Sequence, residues 1–439
     1  MELLGVKVSG LFGCFNHTLM LNEANKVTIL TGPNGYGKTV LLKILDSVIS
    51  LQLDFFHKLE FELIEVFFSR HTLRFTKEVP CSPGFQMMLD QQEETRFSYR
   101  EHFASLLKRR ITTDDLELLL PQLERINSLK CYDRSIRDIV DINEVIERYP
   151  DVLALSGIET SRFFPDWYIG LVAPINAHFI RDQRLISRDS ASDYREGAAT
   201  PKTLLDTIEQ YALDLAQELR RYRQEYAELS QQLDASLPVR LLGSDSQSPA
   251  VLYSSDQVRE QLGQLFDLQQ KLQCHQLLHS HLQLLQTDVE IRDQDRAILT
   301  LYIDDTRKKL AVFQPLLAKI ETFIDLLNDK GLAFKTAQVD IERGLVFKNH
   351  KGQSLSLNQL SSGEQHQIIL LFELIFRAGD NDLILIDEPE ISLHIAWQKE
   401  FLHDLQQIIA DRDVKVLIAT HSPQIIDSEW DLTVDLEDE

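Results

Sequence analysis

The 439 residues suffice for two or three structural units, and 44% hydrophobic with 26% charged content is ordinary for a soluble globular protein. The longest apolar runs, such as 368–376, are short and interrupted by Glu373, so no membrane span is expected. With 45 basic against 68 acidic side chains the formal charge is −23, a field that repels phosphate backbones and weighs against DNA as the default partner, although a local basic groove stays open.

Residues Leu3–Ser9 and Val27–Thr31 read as β-branched, apolar strands, and the second runs straight into a glycine-rich turn. That turn, Gly32-Pro33-Asn34-Gly35-Tyr36-Gly37-Lys38-Thr39, has the form G-x-x-x-x-G-K-[ST]. It opens a helix from Lys38 to Ser50 with Val40, Leu41, Ile44, Leu45 and Val48 on its apolar face. Strand, turn and helix in that order make a phosphate cradle: glycines let backbone N–H groups turn inward, and the helix N-terminus adds its positive dipole end. ATP is therefore expected to lie on Gly32 through Val40, with Lys38 on the β- and γ-phosphates and the Thr39 hydroxyl on Mg²⁺.

Two strands are expected between Leu59 and Thr76, separated near Ser69–Arg70, and the charged stretch from Glu101 to Tyr149 reads as helical with a break at Pro121. A strand-like run from Leu171 to Ile180 ends in Arg181-Asp182-Gln183-Arg184. Polar residues 187–201 then lead to apolar side chains at Ile208, Tyr211, Leu215, Leu219, Tyr222, Tyr226, Leu229 and Leu233, a heptad spacing with one extra stagger. After a Ser-, Pro- and Gly-containing loop at 236–256, a second helical stretch runs from Val258 to about Leu327. The pair reads as an antiparallel coiled-coil arm or as a plain helical bundle, and it carries no catalytic motif. The four cysteines, Cys14, Cys81, Cys131 and Cys274, are far apart and never in a C-x-x-C pair, which offers neither a disulfide framework nor a zinc site and fits a reducing cytosol. The start of the chain lacks the pattern of a secretory signal, so a cytoplasmic protein is expected.

From Gln338 strands and helices alternate again: strands at Gln338–Ile341, Gly344–Phe347, Leu383–Asp387 and Lys415–Thr420, helices at Gly363–Arg377 and Leu393–Ala410. Asp387 and Glu388 emerge at the carboxyl end of an apolar strand, where open α/β sheets place their ligands. Asp387 is expected to hold Mg²⁺ through water, and Glu388 to orient or deprotonate the attacking water. Leu360-Ser361-Ser362-Gly363-Glu364-Gln365 reads locally as a capped helix start. Ala419-Thr420-His421-Ser422-Pro423 follows a buried strand and resembles the switch-histidine loop, which implies a hydrogen bond from His421 to the γ-phosphate, with a capping histidine at a strand end as the alternative. Gln183 is a positional candidate for a Mg²⁺-sensing glutamine, with an exposed loop glutamine as the alternative.

The S-S-G-E string, placed after the glycine turn and before Asp387, resembles the signature motif of ABC ATPases in the form found in RecF-, Rad50- and SMC-type heads. The fold this implies is α/β: an ABC-type head made from N- and C-terminal lobes, with a helical coiled-coil insertion. By that likeness Ser361, Ser362, Gly363 and Glu364 contact the nucleotide of an opposing subunit, His421 is the switch histidine and Gln183 the Q-loop residue. The chain then works as a homo-oligomer built on ATP-sandwich head dimers. The expected division is 1–100 for the N-terminal lobe, 101–165 for a helical subdomain, 166–190 for a strand returning to the head, 191–334 for the insertion and 335–439 for the C-terminal lobe. Glu390-Ile391-Ser392-Leu393-His394 departs from the acidic D-loop of transporters and is similar to RecF- and OLD-family heads, which leaves the dimer-contact role of His394 open.

The phrases L-S-S-G-E-Q-H, D-E-P-E-I-S-L-H-I-A-W-Q and A-T-H-S-P-Q-I-I look most like the ATPase of the PARIS anti-phage system, with the Septu ATPase as second match. Eighteen residues follow His421, too few for a TOPRIM nuclease, so an ATPase that does not itself cut nucleic acid is expected. The resemblance implies a separate TOPRIM- or OLD-like nuclease as effector and a phage-encoded protein as trigger. The competing reading is a DNA-maintenance ATPase of the Rad50 or RecF kind. The net acidity and the missing C-x-x-C of a zinc hook speak against it, and clusters such as Lys108-Arg109-Arg110 and Arg220-Arg221-Arg223 read as solvated helix faces.

Overall fold

The computed structural model describes residues 2–92, 95–98, 120–141, 145, 164–181, 204–242, 252–278 and 291–436, apart from 23, 81–83, 121, 128–129, 137, 333, 392 and 394. The chain divides into two compact units, residues 1–202 with 377–439 and residues 203–376. The second unit thus runs to just after the S-S-G-E helix, whereas the expected C-terminal lobe starts at 335.

In the first unit, β1 (Leu3–Leu11), β2 (Phe15–Met20), β3 (Val27–Thr31), α1 (Lys38–Ile49), α2 (Asp54–Lys58), β4 (Leu63–Phe68), β5 (Thr72–Thr76), β6 (Gln86–Leu89) and β7 (Phe97–Ser98) follow in order. Further along come β8 (Leu123–Arg125), β9 (Lys130–Asp133), β10 (Asp138–Asp141), α3 (Asp166–Val172) and β11 (Asn176–Ile180). A six-stranded antiparallel sheet has the order β2-β1-β4-β5-β6-β7. The 101–165 stretch, read as helical, instead carries the antiparallel sheet β10-β9-β8 among its described residues. Cys131 and Asp133 are buried while Lys130 is exposed, and the Asn127 carbonyl oxygen on its side chain accepts the Lys130 N–H to close the turn. The run from Leu171 likewise begins as the end of α3, and only Asn176–Ile180 is strand.

The second unit holds α4 (Leu204–Leu242), α5 (Ser255–Cys274), α6 (Asp293–Ala311), α7 (Gln314–Leu326), β12 (Lys335–Asp340), β13 (Gly344–Asn349), β14 (Ser354–Leu355) and α8 (Ser362–Phe372). α4 is 39 residues long, roughly 58 Å of helix at the usual rise. Ile208, Leu215 and Leu219 of its predicted stripe are buried. The second helical stretch is divided rather than continuous. Gln276 adopts a left-handed φ of 57°, and the Leu277 N–H returns to the Leu272 carbonyl at 2.8 Å, a helix stop sealed by two buried leucines. α5 repeats its buried residues every seven positions, Val258, Leu265 and Leu272. Arg240 of α4 grips Asp305 of α6 through two hydrogen bonds of 2.6 Å. Gly344, with φ 74°, brings β13 against α4 so closely that a Cβ there would stand 1.8 Å from the Ala212 carbonyl oxygen.

β15 (Asp382–Asp387), α9 (Ile395–Ile409), β16 (Lys415–Ala419), α10 (Pro423–Ile426) and β17 (Thr433–Asp435) complete the first unit. They join the amino-terminal part in one parallel sheet of order β11-β15-β16-β3-β17. β3, from the start of the chain, lies between β16 and β17 from its end, so one sheet draws on both termini. In register, Asp387 stands opposite Ala419, and Ala419 opposite Leu30. Parallel strands share one direction, so the segments leaving β15, β16 and β3 emerge side by side at the same edge. No helix among the described residues is long and apolar enough to cross a membrane.

Candidate functional site

At that edge the glycine turn bridges β3 and α1. Gly32, Gly35 and Gly37 have φ of 140°, 89° and 93°, the last two in the left-handed region that side chains resist. A Cβ at Gly35 would touch nothing within 4 Å, so conformation and not space demands glycine there. Asn34 and Gly35 are exposed at the tip, whereas Lys38 is 5% exposed. Its ammonium donates to the Gly32 carbonyl at 2.8 Å and the Pro33 carbonyl at 3.3 Å, folded along the inside of the turn. The Thr39 hydroxyl donates to Asp387 Oδ1 at 2.9 Å, joining the start of α1 to the end of β15. A hard divalent cation takes oxygen ligands, and a hydroxyl and a carboxylate placed together suit Mg²⁺ beside a phosphate.

The β15 end continues into a strained turn. Glu388 has φ 45°, and its N–H donates to the Ala419 carbonyl at 2.8 Å, which fixes the carboxyl between β15 and β16. His421 Nε2 lies 3.0 Å from Glu388 Oε2, outside hydrogen-bond alignment, and that oxygen has no hydrogen-bond partner among the described residues. Glu390 Oε1 accepts the Thr420 hydroxyl at 2.7 Å and the His421 N–H at 3.2 Å, while its Oε2 is buried and also unpartnered. Burial, then the neighbouring Glu390 carboxyl, push Glu388 up to about 8; Asp387 adds to the rise and Lys38 opposes it. Glu388, Glu390 and His421 offer ligand atoms within 4.8 Å of one another. The Gln398 amide donates to the carbonyls of Glu390 at 3.2 Å and Leu393 at 3.0 Å, pinning the turn between β15 and α9.

In the second unit the S-S-G-E helix begins with a capping box. The Ser361 N–H donates to Glu364 Oε2 at 2.7 Å and the Glu364 N–H returns to Ser361 Oγ at 3.4 Å. Ser361 and Ser362 are exposed and Gly363 half-buried, leaving the helix N-terminus open to an anion. Glu364 is turned inward, where Lys335 of β12 holds both carboxylate oxygens at 2.7 and 2.6 Å. Its side chain is thus a brace for Ser361 and presents nothing outward.

The structure brings Gly32–Val40, Asp387, Glu388 and His421 to one edge of the first unit and builds Ser361–Glu364 in the second. Gln183 and His394 lie outside the described residues. Reading by motif missed Lys335 and the bracing part of Glu390, because each acts on a neighbour and neither belongs to a spaced pattern.

A family profile for an AAA ATPase domain, AAA_15, matches residues 202–426, more than half of the sequence. The chain belongs to that family. The matched part of this AAA ATPase includes Ser361–Glu364, Asp387, Glu388 and His421, while the glycine turn precedes it. Protein ea59 of Escherichia phage lambda is 34% identical over 70 residues, which cover 16% of this chain and 13% of that protein. The AAA ATPase therefore matches about an eighth of that relative's length. Among solved structures, the Smc head domain of Pyrococcus furiosus, with an extended coiled coil and bound to the C-terminal domain of ScpA, aligns at 10% identity and TM-score 0.34. That alignment covers 97% of this chain and 91% of the other. The SMC head domain of Thermotoga maritima aligns at 10% identity and TM-score 0.33 over 98% and 92%.

Proposed function

We propose that this chain is an ABC-type ATPase that cradles Mg-ATP on its own glycine turn and turns it over when the Ser361 helix of a second copy closes on the γ-phosphate. The observation that carries the reading is the 2.9 Å contact between Thr39 Oγ1 and Asp387 Oδ1, made across 348 positions of sequence at the mouth of a loop whose glycines take positive φ. Mg²⁺, when bound, supplies charge neutralisation for the phosphate oxygens.

Lys38 exchanges two backbone carbonyls for phosphate oxygens, and the N–H groups of the turn hold the β-phosphate. Glu388 is the general base for water, and it accepts a proton only when ionised. With its pKa pushed up to about 8, chiefly by burial, Glu388 holds a proton at neutral pH in the free protein, which keeps the base in reserve. His421 stands beside Glu388 with its ring partly exposed, placed to donate to the γ-phosphate. Ser361, Ser362 and Gly363 offer the second anion grip from a partner copy.

The biological setting we propose is control of a separate TOPRIM- or OLD-like nuclease in anti-phage defence, triggered by a phage protein. It is supported by the motif phrases and by the net charge of −23, which disfavours direct DNA binding. Light scattering and phosphate release with purified protein test the core of the reading. E388Q should bind ATP, release little phosphate and accumulate as a dimer, and full turnover by E388Q removes that residue from catalysis. Co-purification of a nuclease from native cells supports the defence setting, whereas turnover stimulated by duplex DNA with no nuclease attached favours the DNA-maintenance alternative.

A further inference from the structure

His17 lies on β2, opposite Val8 of β1, and is 2% exposed. Its Nε2 is 2.8 Å from the carbonyl oxygen of Tyr36 within the glycine turn. A carbonyl only accepts, so Nε2 carries the proton and Nδ1 is bare; Nδ1 is buried with no hydrogen-bond partner among the described residues. Phe15 stacks on the His17 ring at 5.6 Å and 15° and leans on Tyr36 at 5.2 Å, so the imidazole is held from its own strand.

The peptide that receives this bond lies between two anchored groups of the turn. The Tyr36 N–H already donates to the Pro33 carbonyl at 3.4 Å, and the Gly37 carbonyl accepts from Leu41 in α1 at 2.9 Å. The Tyr36–Gly37 plane between them rotates through Tyr36 ψ and Gly37 φ. Glycine accepts the φ of 93° and its negative counterpart about equally, so Gly37 offers little resistance to a flip. In a trans peptide the C=O and N–H point in opposite directions. Holding the Tyr36 carbonyl toward β2 therefore turns the Gly37 N–H to the other side, into the turn.

We propose that His17 is a positioning residue of the phosphate cradle, pinning the Tyr36 carbonyl so that the Gly37 N–H faces the β-phosphate. This rests on the ATP-binding reading above.

The test is ADP binding by titration calorimetry, with the amide signal of Gly37 followed in glycine-¹⁵N-labelled full-length protein. H17Q places an amide nitrogen at the reach of Nε2, whereas H17N reaches only as far as Nδ1, and the two are alike in polarity. H17N should bind ADP about tenfold more weakly, the size of one hydrogen bond, with the Gly37 amide no longer moving on ADP addition. H17Q should stay within about threefold of the parent and keep the amide shift, while both variants melt at the same temperature. Parent-like ADP binding by H17N overturns the inference, as does equal loss in both variants accompanied by equal loss of thermal stability. A parent that fails to bind ADP, equal to K38A, sinks the ATP-binding reading itself.

Discussion

Lys335→Met tests whether the signature grip is built by a remote brace. Lys335 and Glu364 side chains are 20% and 10% exposed, and two charge-assisted bonds of 2.7 and 2.6 Å join them. Breaking a fully buried pair costs about 3–5 kcal/mol and a surface pair about 0–1 kcal/mol. A pair this covered, with Glu364 Oε2 still receiving the Ser361 N–H, falls between them at roughly 2 kcal/mol. For a unit of the size of residues 203–376 that lowers the melting temperature by about 4–8 °C.

The functional consequence is more specific than the stability loss. The glycine turn is untouched, so K335M should bind ADP with the affinity of the parent. ATP-driven dimerisation in an E388Q background, read by light scattering, should weaken as the Ser361 cap loosens. Adding E364Q should recover part of the melting temperature, because a neutral amide needs no counter-charge. K335M melting within about 1 °C of the parent, or E364Q giving no recovery in its presence, refutes the reasoning.

Lys38→Ala should abolish nucleotide binding, and Ser361→Arg should abolish turnover while leaving ADP binding intact; mixing the two proteins should restore part of the activity through one composite site. Gly344→Ala must take up φ 74° and displace the Ala212 carbonyl 1.8 Å away, so it should cost at least about 3 kcal/mol and unfold residues 203–376 first in limited proteolysis. Glu388 titrates near 8 when folded against an ordinary 4.5, so the folded state holds its proton more tightly. The stability it contributes is full below pH 4.5 and is lost as pH rises through about 8. E388Q, which has no proton to lose, should gain in urea midpoint relative to the parent between pH 5 and 9, and a difference that stays constant contradicts the shift.

What was legible in the sequence follows from how local each device is. Gly32–Thr39 announces itself because positive φ at fixed positions and an anion at a helix start require particular residues at particular spacing. Asp387 and His421 were placed correctly at strand ends because the apolar runs before them have one use, as buried parallel strands. β8–β10 were read as helix because three- and four-residue strands are too short to show alternation, and their turn rests on a side-chain bond from Asn127. The stop after α5 was missed because Gln276, not glycine, takes the left-handed position, and burial of Leu272 and Leu277 outweighs that cost. His17, Lys335 and Glu390 are single polar residues far in sequence from what they hold or turned aside from the motif beside them, so no window of sequence reveals them.

Both phosphate grips of the proposed function start with their donors already engaged. Lys38 gives its protons to the Gly32 and Pro33 carbonyls, and the Ser361 hydroxyl lies 3.0 Å from Glu364 Oε2. A nucleotide therefore gains only the difference between new bonds and old ones. For Lys38 the difference is favourable, because a phosphate oxygen is an anionic acceptor and a carbonyl is not. For Ser361 the old acceptor is itself a carboxylate, so an incoming γ-phosphate offers little through the hydroxyl alone, and the gain must come from the open N–H groups at the start of α8. On the proposed function, ATP would be held tightly by its own head and only weakly by the second. Under the proposal each copy should therefore stay loaded while the contact between copies forms and dissolves with the state of the γ-phosphate.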